Sequence, residues 1–551
     1  MPTLQWIGKD KVVSHHLNVP VRELKHQYGF SDGIETDENL HSGNKIIHGD
    51  NLEALKALLP EYEGKIKCIY IDPPYNTGNE NWVYNDNVND PKIKKWLDTV
   101  VGKEGEDLSR HDKWLCMMYP RLQLLHKLLA EDGAIFISLD ENETTHLRCI
   151  MNEIFGENCF VAQITLLCNP KGRSQDKYFS TNHEYISIYS KTKLPKDSFS
   201  IVKSDDLISK EYRLKDEGGA YRLLELRNTH REFSKENRPN LYYPLYVDPI
   251  SYKVSTIKDE NYSIEVLPLW PDGFEGCWTW GKELSKLDSH LLVAKQIKGK
   301  WKISRKSYSK SDDGESVTKK LFTIWSDSKF YTEKGQLSFG EIFPGLNKND
   351  FPQPKSVDLI KEIIKTCTKE DDIILDSFAG SGTTAHAVLN LNKQDNGSRK
   401  FILIEMKDYA NSITAERVKR VIKGYSDKEG LGGSFDYFEL GERIFTEDGY
   451  LNESANIDSI KNYIYYSETR SSISTPNQHA DKHFLGLHND TAYYLLYEKG
   501  TITTLNHSFL STIKTKAENY IIYADNCVLT KSFMQSHRIT FKKIPRDIIQ
   551  F

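Results

Sequence analysis

The chain has 551 residues, of which 38% are hydrophobic and 27% are charged, and its formal net charge is −5. This length indicates roughly three or four folding units, and the composition is typical of a water-soluble globular protein. No apolar run approaches the ~18 residues of a membrane span, and the first residues predict no export signal, so we expect a cytoplasmic protein. The net charge does not exclude a nucleic-acid partner, because positive charge can be confined to one cleft.

The first part of the chain alternates between strand and helix patterns. The predicted elements are, in order, a strand at 45–48, a helix over 52–59, a buried strand at 66–71, a long polar loop over 79–112, a helix over 114–129 and a strand at 134–139. Such alternation predicts a parallel α/β sheet.

The alternation fades between residues 195 and 345, where Lys, Ser, Tyr and Trp are frequent. We interpret this range as an inserted domain. Its clearest basic cluster lies at 295–320, where lysines and arginines are interleaved with aromatic residues.

The α/β pattern then resumes. The predicted elements are a helix over 356–367, a strand at 372–375, a glycine-rich turn, a helix through 389, a strand at 400–404 and a helix over 414–423. Glycines at 430–433 indicate a boundary, and the Tyr-rich region beyond it has no predicted role.

The glycine-rich turn reads Asp376-Ser-Phe-Ala-Gly-Ser-Gly382. Glycines at such a place allow a sharp turn and a close approach of ligand to backbone. Glu405 ends the next strand, where an acidic residue accepts hydrogen bonds from ribose hydroxyls in nucleotide-binding folds. The turn lacks the third glycine of a dinucleotide motif and the Gly-Lys-Ser/Thr of a P-loop, so neither a pyrophosphate nor a triphosphate is indicated.

A second motif, Asp72-Pro-Pro-Tyr75, follows the strand at 66–71. Open α/β sheets bind ligands at this carboxyl edge. The prolines make a rigid turn that leaves Asp72 and the Pro73 carbonyl as outward acceptors, while Tyr75 adds an aromatic face. These groups suit the binding of an amino group on a planar ring; the alternative is a turn that only ends a buried strand.

Together the two motifs resemble those of the DNA amino-methyltransferases, in which the tetrapeptide is catalytic and the glycine turn binds S-adenosylmethionine. Here the catalytic motif comes first and an insert separates the two, an order similar to the beta class. Further strings resemble the modification subunit of type III restriction–modification systems or a close defence-system relative: Gly49-Asp-Asn-Leu-Glu-Ala-Leu55, Arg110-His-Asp-Lys-Trp114, Tyr119-Pro-Arg-Leu122, Phe136-Ile-Ser-Leu-Asp-Glu141, Asn182-His-Glu-Tyr185 and Pro354-Lys355. The resemblance covers about residues 40–425 and is weaker across the insert.

The resemblance implies a Rossmann-like S-adenosylmethionine-dependent methyltransferase fold, with a mostly parallel seven-stranded sheet in permuted order. The implied divisions are an N-terminal arm (1–40), a catalytic half (41–194), an inserted target-recognition domain (195–345), a cofactor-binding half (346–428) and a C-terminal region of unknown role (429–551). Implied partners are double-stranded DNA, a second copy of the chain and a separate restriction/helicase subunit, with no membrane.

Roles for individual residues follow from the same resemblance. The target adenine would be held by Asp72, Pro73, Pro74 and Tyr75. The cofactor pocket would be lined by Asp376, Phe378, Gly380, Gly382 and Thr383, with Glu405 on the ribose. Asp50 would contact the adenine end of the cofactor and Lys355 its methionine carboxylate; the alternatives are a helix cap for Asp50 and an ordinary surface position for Lys355.

The implied activity is methylation of adenine N6 in duplex DNA. None of the eight cysteines lies in either motif, which disfavours methylation at cytosine C5 because that reaction needs a thiolate nucleophile, and their spacing predicts no metal site. Cytosine N4, RNA or protein methylation, and a non-catalytic DNA-binding subunit, are the alternatives. Phosphate contacts are expected from Lys300, Lys302, Arg305 and Lys306, although a lysine-rich run is more often a solvated face.

Overall fold

The computed structural model describes residues 3–76, 109–172, 176–311, 313–346, 351, 353–473 and 481–549. The chain divides into two compact units, one made of residues 1–198 and 322–551 and the other of residues 199–321. Among the described residues, no helix is both long and apolar enough to cross a membrane.

The first section of the larger unit begins the main sheet. Its helices are α1 (Lys9–Val12), α2 (His15–Asn18), α3 (Asn51–Tyr62), α4 (Arg110–Leu128) and α5 (Thr144–Phe155). Its strands are β1 (Arg22–Ser31), β2 (Ile34–Thr36), β3 (Lys45–His48), β4 (Ile66–Ile71), β5 (Leu129–Leu139), β6 (Phe160–Leu167) and β7 (His183–Ser190).

The predicted loop over 79–112 falls largely outside the described residues. Where the chain is described again, α4 begins at Arg110, before the predicted end of the loop. A capping box explains the early start: Ser109 accepts the Asp112 backbone N–H, and the Asp112 carboxylate accepts the Ser109 backbone N–H. These bonds satisfy N–H groups that have no partner within the helix.

The described residues of the smaller unit form mainly strands, with two α-helices. Its elements are β8 (Ser200–Val202), α6 (Asp205–Glu211), β9 (Leu214–Asp216), β10 (Gly219–Glu225), β11 (Leu245–Val247), β12 (Val254–Ser255), β13 (Ile264–Val266), α7 (Lys282–Leu287), β14 (Leu292–Ile297), β15 (Lys300–Tyr308) and β16 (Thr318–Lys320). The strands form antiparallel sheets in the orders β14-β15-β10-β9, β12-β11-β13 and β16-β8. Their core includes Leu226, Leu245, Trp278 and Ile303.

The remaining section returns to the larger unit. Its helices are α8 (Thr332–Ile342), α9 (Val357–Cys367), α10 (Thr383–Asp395), α11 (Glu416–Lys423), α12 (Ile457–Thr469), α13 (His507–Leu510) and α14 (Lys531–Ser536). Its strands are β17 (Ile324–Trp325), β18 (Ile373–Asp376), β19 (Lys400–Glu405), β20 (Gly424–Tyr425), β21 (Lys428–Glu429), β22 (Ser434–Arg443), β23 (Phe484–His488), β24 (Thr491–Leu495), β25 (Thr504–Leu505), β26 (Asn519–Ala524), β27 (Asn526–Cys527) and β28 (Ile539–Lys543).

Within the described residues, the main sheet has eleven strands in the order β17-β6-β7-β5-β4-β18-β19-β3-β22-β1-β2. The seven from β6 to β3 form the predicted, mostly parallel sheet, in which β7 is antiparallel to both of its neighbours. The sheet is wider than predicted because β17 adds to one edge and β22, β1 and β2 add to the other.

Helices cover this sheet on both faces, as the near-continuous apolar runs of β4 and β19 require. The helices α3, α4 and α5 pack on the face that carries Ile69 and Ile71. Side chains alternate along a strand, and Cys68 on the opposite face lies beside Cys367 of α9.

Two predicted boundaries differ from the compact units. The smaller unit spans 199–321 rather than 195–345, because β17 pairs with β6 in the main sheet. The predicted boundary at 428 lies ahead of β22, which pairs with β3 and β1. Strand β1 also draws part of the predicted N-terminal arm into the sheet. Further along the chain, β23, β24, β26 and β28 form a separate four-stranded sheet.

Candidate active site

The two sequence motifs lie at the ends of neighbouring strands. Strands β4 and β18 are parallel, with Cys68 opposite Ile374 and Ile69 opposite Leu375. Asp72 follows β4, and Asp376 is the last residue of β18. The carboxyl ends of parallel strands meet at one sheet edge, so the fold brings the Asp-Pro-Pro-Tyr turn and the glycine turn side by side.

Four side chains form a connected network at the first turn. The Tyr75 hydroxyl can donate to Asp72 Oδ1 at 2.9 Å or to Glu184 Oε2 at 3.0 Å. Lys355 Nζ donates to the Tyr75 oxygen at 2.5 Å and to Glu184 Oε2 at 2.7 Å. The same ammonium lies 3.4 Å from Asp72 Oδ1. Lys355 is therefore a largely buried member of the site and not an ordinary surface lysine.

Burial and charge set the protonation of this network. Burial opposes the charge on Lys355, but Asp72 and Glu184 hold its pKa well above the ordinary value. Burial, followed by the charge of Asp72, raises the pKa of Tyr75 well above its usual range. At neutral pH, Lys355 is therefore a cation and Tyr75 a neutral donor. Burial also raises the pKa of Asp72, while Lys355 acts in the opposite direction.

Buried polar side chains hold the backbone of both turns. Trp114, from α4, donates its indole N–H to the Pro74 carbonyl at 2.7 Å. Asn51 of α3 donates to the Ser377 carbonyl at 3.1 Å, and Arg121 donates to the Asn51 side chain at 2.5 Å. Since α3 and α4 belong to the same hydrophobic core, the packing of these helices fixes the positions of the two turns.

The glycine turn is held by Glu405 at the end of β19. Its carboxylate accepts the backbone N–H of Gly380 at 2.8 Å and that of Lys407 at 2.9 Å. Burial nevertheless raises the pKa of Glu405 to about 7. Asp376 accepts the Phe378 N–H at 3.1 Å and the Thr384 hydroxyl at 2.5 Å, and burial raises its pKa to about 7.

Both glycines of this turn have left-handed backbone angles, with φ of 53° at Gly380 and 79° at Gly382. A Cβ atom at Gly382 would lie 3.0 Å from the carbonyl oxygen of Thr414. At Gly382 the absence of a side chain thus permits packing against the segment before α11. Thr383 is buried, and its hydroxyl accepts a 2.8 Å bond from Arg417.

The donor set of this edge fits S-adenosylmethionine. Glu405 supplies a carboxylate at this edge, as predicted for a contact with ribose hydroxyls. Within the described part of the chain, the buried Ser377 hydroxyl has no hydrogen-bond partner, as expected of a group that meets a polar ligand. Phe378 is only partly buried at the same turn and offers an apolar contact.

Asp50 is at the same edge, and its geometry matches the alternative that the sequence offered, a helix cap. It is the N-cap of α3, where its Oδ1 accepts the backbone N–H groups of Leu52 at 2.9 Å and Glu53 at 3.2 Å. Its Oδ2 lies 3.5 Å from Arg121. The side chain is partly exposed, so contact with a cofactor stays a prediction alongside this capping role.

The four predicted DNA-contacting residues all lie on β15, but they do not share one surface. Side chains alternate along a strand, so Lys300, Lys302 and Lys306 point to one face and Arg305 to the other, where Arg305 lies 5.6 Å from the Trp280 ring. Lys306 is paired with Asp216 at 2.6 Å. Of the four, only Lys300 and Lys302 are exposed.

Lys302 lies directly opposite Lys295 in the β14–β15 pair, and both side chains are exposed. Like charges at directly opposed positions destabilise a sheet. An anionic ligand at this position would relieve that repulsion.

Sequence reasoning assigned no role to several residues that the structure brings to the site. Glu184 lies within the string Asn182–Tyr185 and Asn51 within the string Gly49–Leu55, so a local signal existed for both, whereas Arg417 carried none. Arg417 is buried and donates to the Ser381 and Thr383 hydroxyls at 2.7 and 2.8 Å; burial lowers its pKa to about 10.

The comparisons with known proteins agree with this geometry. A family model described as DNA methylase matches residues 66–416. The chain belongs to the DNA methylase family. Accordingly, it is a DNA methyltransferase, and the predicted resemblance to type III modification subunits is confirmed.

Three relatives illustrate the range of similar proteins. The EcoPI Mod subunit, a type III restriction-modification protein of Escherichia phage P1, is 32% identical over 87% of this chain and 76% of its own length. The type II methyltransferase M.KpnI of Klebsiella pneumoniae is 34% identical over 71% of this chain and 88% of its own. The EcoP15I Mod subunit of Escherichia coli is 31% identical over 74% of this chain and 64% of its own.

Proposed function

We propose that the chain transfers a methyl group from S-adenosylmethionine to N6 of adenine in duplex DNA, as the modification subunit of a type III restriction–modification or related phage-defence system. The adjacency of the Asp72 turn and the glycine turn, on hydrogen-bonded parallel strands, carries this proposal. It puts an acceptor for an amino group next to a nucleotide-type pocket.

Asp72 and the Pro73 carbonyl are the proposed acceptors for the two amino hydrogens. The nitrogen lone pair of adenine is delocalised into the ring, so an acceptor on each N–H favours the pyramidal nitrogen that can attack. Tyr75 and Lys355 both approach Asp72 at Oδ1, which makes Oδ2 the proposed acceptor. When bound, S-adenosylmethionine supplies an electrophilic methyl group. The protein's contribution is then positioning and placed charge rather than a covalent intermediate.

The target base must leave the duplex to reach this turn, at a cost of a few kcal/mol. Stacking on Tyr75 would offset part of that cost. We assign phosphate contacts to the exposed Lys300 and Lys302 of the smaller unit, which we propose is the target-recognition domain. A separate restriction/helicase subunit is a proposed protein partner, in keeping with the names of the Mod relatives. A second copy of this chain is the other proposed partner.

The test is transfer of a radiolabelled methyl group to DNA, followed by identification of the modified nucleoside. We expect N6-methyladenine. Asp72→Asn should reduce transfer about 100-fold or more, the effect typical of losing one placed catalytic group, while S-adenosylmethionine binding changes little. Asp358→Asn, which alters an exposed carboxylate of α9, is the matched control.

Each part of the proposal has its own contrary result. N4-methylcytosine would refute the assignment of the base, and labelled RNA in place of DNA would refute the substrate. Normal transfer by Asp72→Asn would remove Asp72 from the catalytic role. Sequencing of methylated sites in DNA from cells that express the chain would then define the recognition sequence.

A further inference from the structure

Three side chains that the proposed methyl transfer does not use lie together beside the Asp72–Tyr75 turn, which we call the catalytic turn. His111 Nδ1 is 2.7 Å from Glu143 Oε1, and His146 Nδ1 is 2.8 Å from Glu143 Oε2. One potential metal-ligand atom from each residue lies within 4.8 Å of the other two.

Two packed helix ends hold these residues in place. His111 is in the first turn of α4, whose start is fixed by the Ser109 capping box. Glu143 directly precedes α5, and His146 follows three residues later on the same side of that helix. The Glu143 carboxylate does not cap α5, although it stands at the N-cap position. It is directed instead at the two imidazoles.

Two imidazole nitrogens and one carboxylate oxygen are the ligand types that Zn²⁺, Co²⁺ and Ni²⁺ prefer. Magnesium and calcium select oxygen ligands. Ligand atoms about 2.0–2.1 Å from a tetrahedral zinc ion lie about 3.4 Å apart. The two His–Glu contacts, at 2.7 and 2.8 Å, are shorter than this, and all three candidate ligand atoms lie within 4.8 Å of one another. Side-chain rotations would therefore be needed to bring one atom of each residue to that spacing.

The cluster is buried at its carboxylate and open to solvent at its two histidines, as a metal site with an access route would be. Glu143 has 0% of its side chain exposed, whereas His111 has 33% and His146 has 31%. A buried carboxylate is costly unless cations or hydrogen bonds offset its charge. The two imidazoles, each about one third exposed, leave a route for an ion and for the water ligands that would complete its coordination.

The cluster is joined to the catalytic turn through Asn76. This residue follows Tyr75, has a φ of 57°, and donates its side-chain amide to Glu143. The same amide donates to the Arg110 carbonyl at 3.0 Å, and Arg110 returns a 3.0 Å bond to the Asn76 carbonyl. An ion held by Glu143 would therefore lie behind the end of the catalytic turn, where its ligands also orient that turn.

We propose that His111, Glu143 and His146 bind one divalent transition-metal ion of the Zn²⁺ type, which links α4, α5 and the end of the catalytic turn. The site is independent of the base that the enzyme methylates.

The test uses the full-length protein after treatment with a chelator and desalting, titrated with Zn²⁺ and separately with Co²⁺. We expect one ion per chain at this site and a higher thermal midpoint with Zn²⁺, because an ion that binds only the folded state stabilises it. His111→Gln and His146→Gln should each weaken binding at least 10-fold. Glutamine keeps an N–H donor for Glu143 but lacks the imidazole ligand, so loss of binding in a folded variant separates metal ligation from hydrogen bonding.

His230→Gln, at an exposed histidine of the smaller unit, is the control and should bind like the unaltered protein. Cysteines could bind zinc elsewhere, so the Co²⁺ spectrum should show nitrogen and oxygen ligation without an intense thiolate charge-transfer band. Circular dichroism verifies the fold of each variant. The proposal is overturned if the protein retains no ion, if affinity is unchanged in both histidine variants, or if the bound cobalt is thiolate-ligated.

Discussion

Replacing Lys355 by Met is the sharpest test of the network at the catalytic turn. The side chain is 16% exposed, and its Glu184 partner 8%. Methionine has a similar length but no charge, so the substitution leaves Asp72 and Glu184 facing the Tyr75 hydroxyl without a cation. One tyrosine proton cannot satisfy both carboxylates.

The expected loss is about 3 kcal/mol of folding stability, the lower end of the range for removing one partner of a buried ion pair. In a chain of this size that corresponds to a fall of roughly 3 °C in the thermal midpoint. The loss should depend on pH. Burial raises the pKa of Asp72 in the folded state, and Lys355 opposes the rise. Without Lys355 the pKa rises further, so the variant is least stable at high pH and recovers as pH falls through the new value.

The assay is the thermal midpoint of both proteins between pH 6 and pH 9, with S-adenosylmethionine absent. Lys361→Met is the matched control, because Lys361 is equally covered at 16% but pairs at 3.4 Å with the exposed Asp358, and exposed pairs contribute about 0–1 kcal/mol. Equal midpoints for the two variants at every pH would refute the coupling of Lys355 to the buried carboxylates.

Three further predictions follow from the same edge and from the smaller unit. Gly382→Val should lower stability by about 2 kcal/mol or more, through backbone strain and a clash with Thr414, with calorimetry as the measurement; unchanged stability contradicts it. Burial raises the pKa of Glu405 to about 7, so the affinity for S-adenosylmethionine, measured by titration calorimetry, should fall as the pH drops below 7 and this carboxylate is protonated. The Glu405→Gln variant should bind S-adenosylmethionine weakly at every pH. A pH dependence that persists in this variant would assign the titration to another group. Neutralising Lys300 and Lys302 should weaken DNA binding on all sequences alike, and it should lower the slope of log affinity against log salt by about 0.9 for each phosphate that the protein no longer neutralises. The measurement is fluorescence anisotropy over a salt series, and an unchanged slope would show that the two lysines are solvated and make no phosphate contact.

The central strands could be predicted because their signal is local. β3 and β4 have the predicted bounds, since each is a short run with apolar residues at its centre that a turn former ends. The edge strands were not predicted. In strand β1, Leu24, Tyr28 and Phe30 alternate with polar residues or glycine, but a histidine interrupts the apolar positions and charged residues begin the strand, so the alternation is weak. The strand is fixed by its pairing with β22, about four hundred residues later, and no short window shows that partner.

The residues of the candidate site also fall into two groups, those that a local pattern predicts and those that only tertiary contacts reveal. The two motifs could be placed on strand ends from sequence, and parallel pairing of β4 with β18 brings them together. Glu184 and Lys355 reach the Tyr75 hydroxyl from 109 and 280 residues away, so only the folded chain shows the network. The His111, Glu143 and His146 cluster is non-local for the same reason, because the structure joins His111 of α4 to two residues at the start of α5.

The basic run of the smaller unit shows how a charge cluster in sequence overstates a charged surface. A run along the chain counts every residue, but a strand sends alternate side chains to opposite faces. In β15 this removes Arg305 from the face of Lys300 and Lys302, and Lys306 on that face is already paired with Asp216. What folding adds is the pairing of Lys295, the first residue of the run, which the antiparallel register sets opposite Lys302. The positive charge is therefore concentrated at the exposed end of the β14–β15 hairpin, and a DNA phosphate there would meet two strands rather than one continuous run.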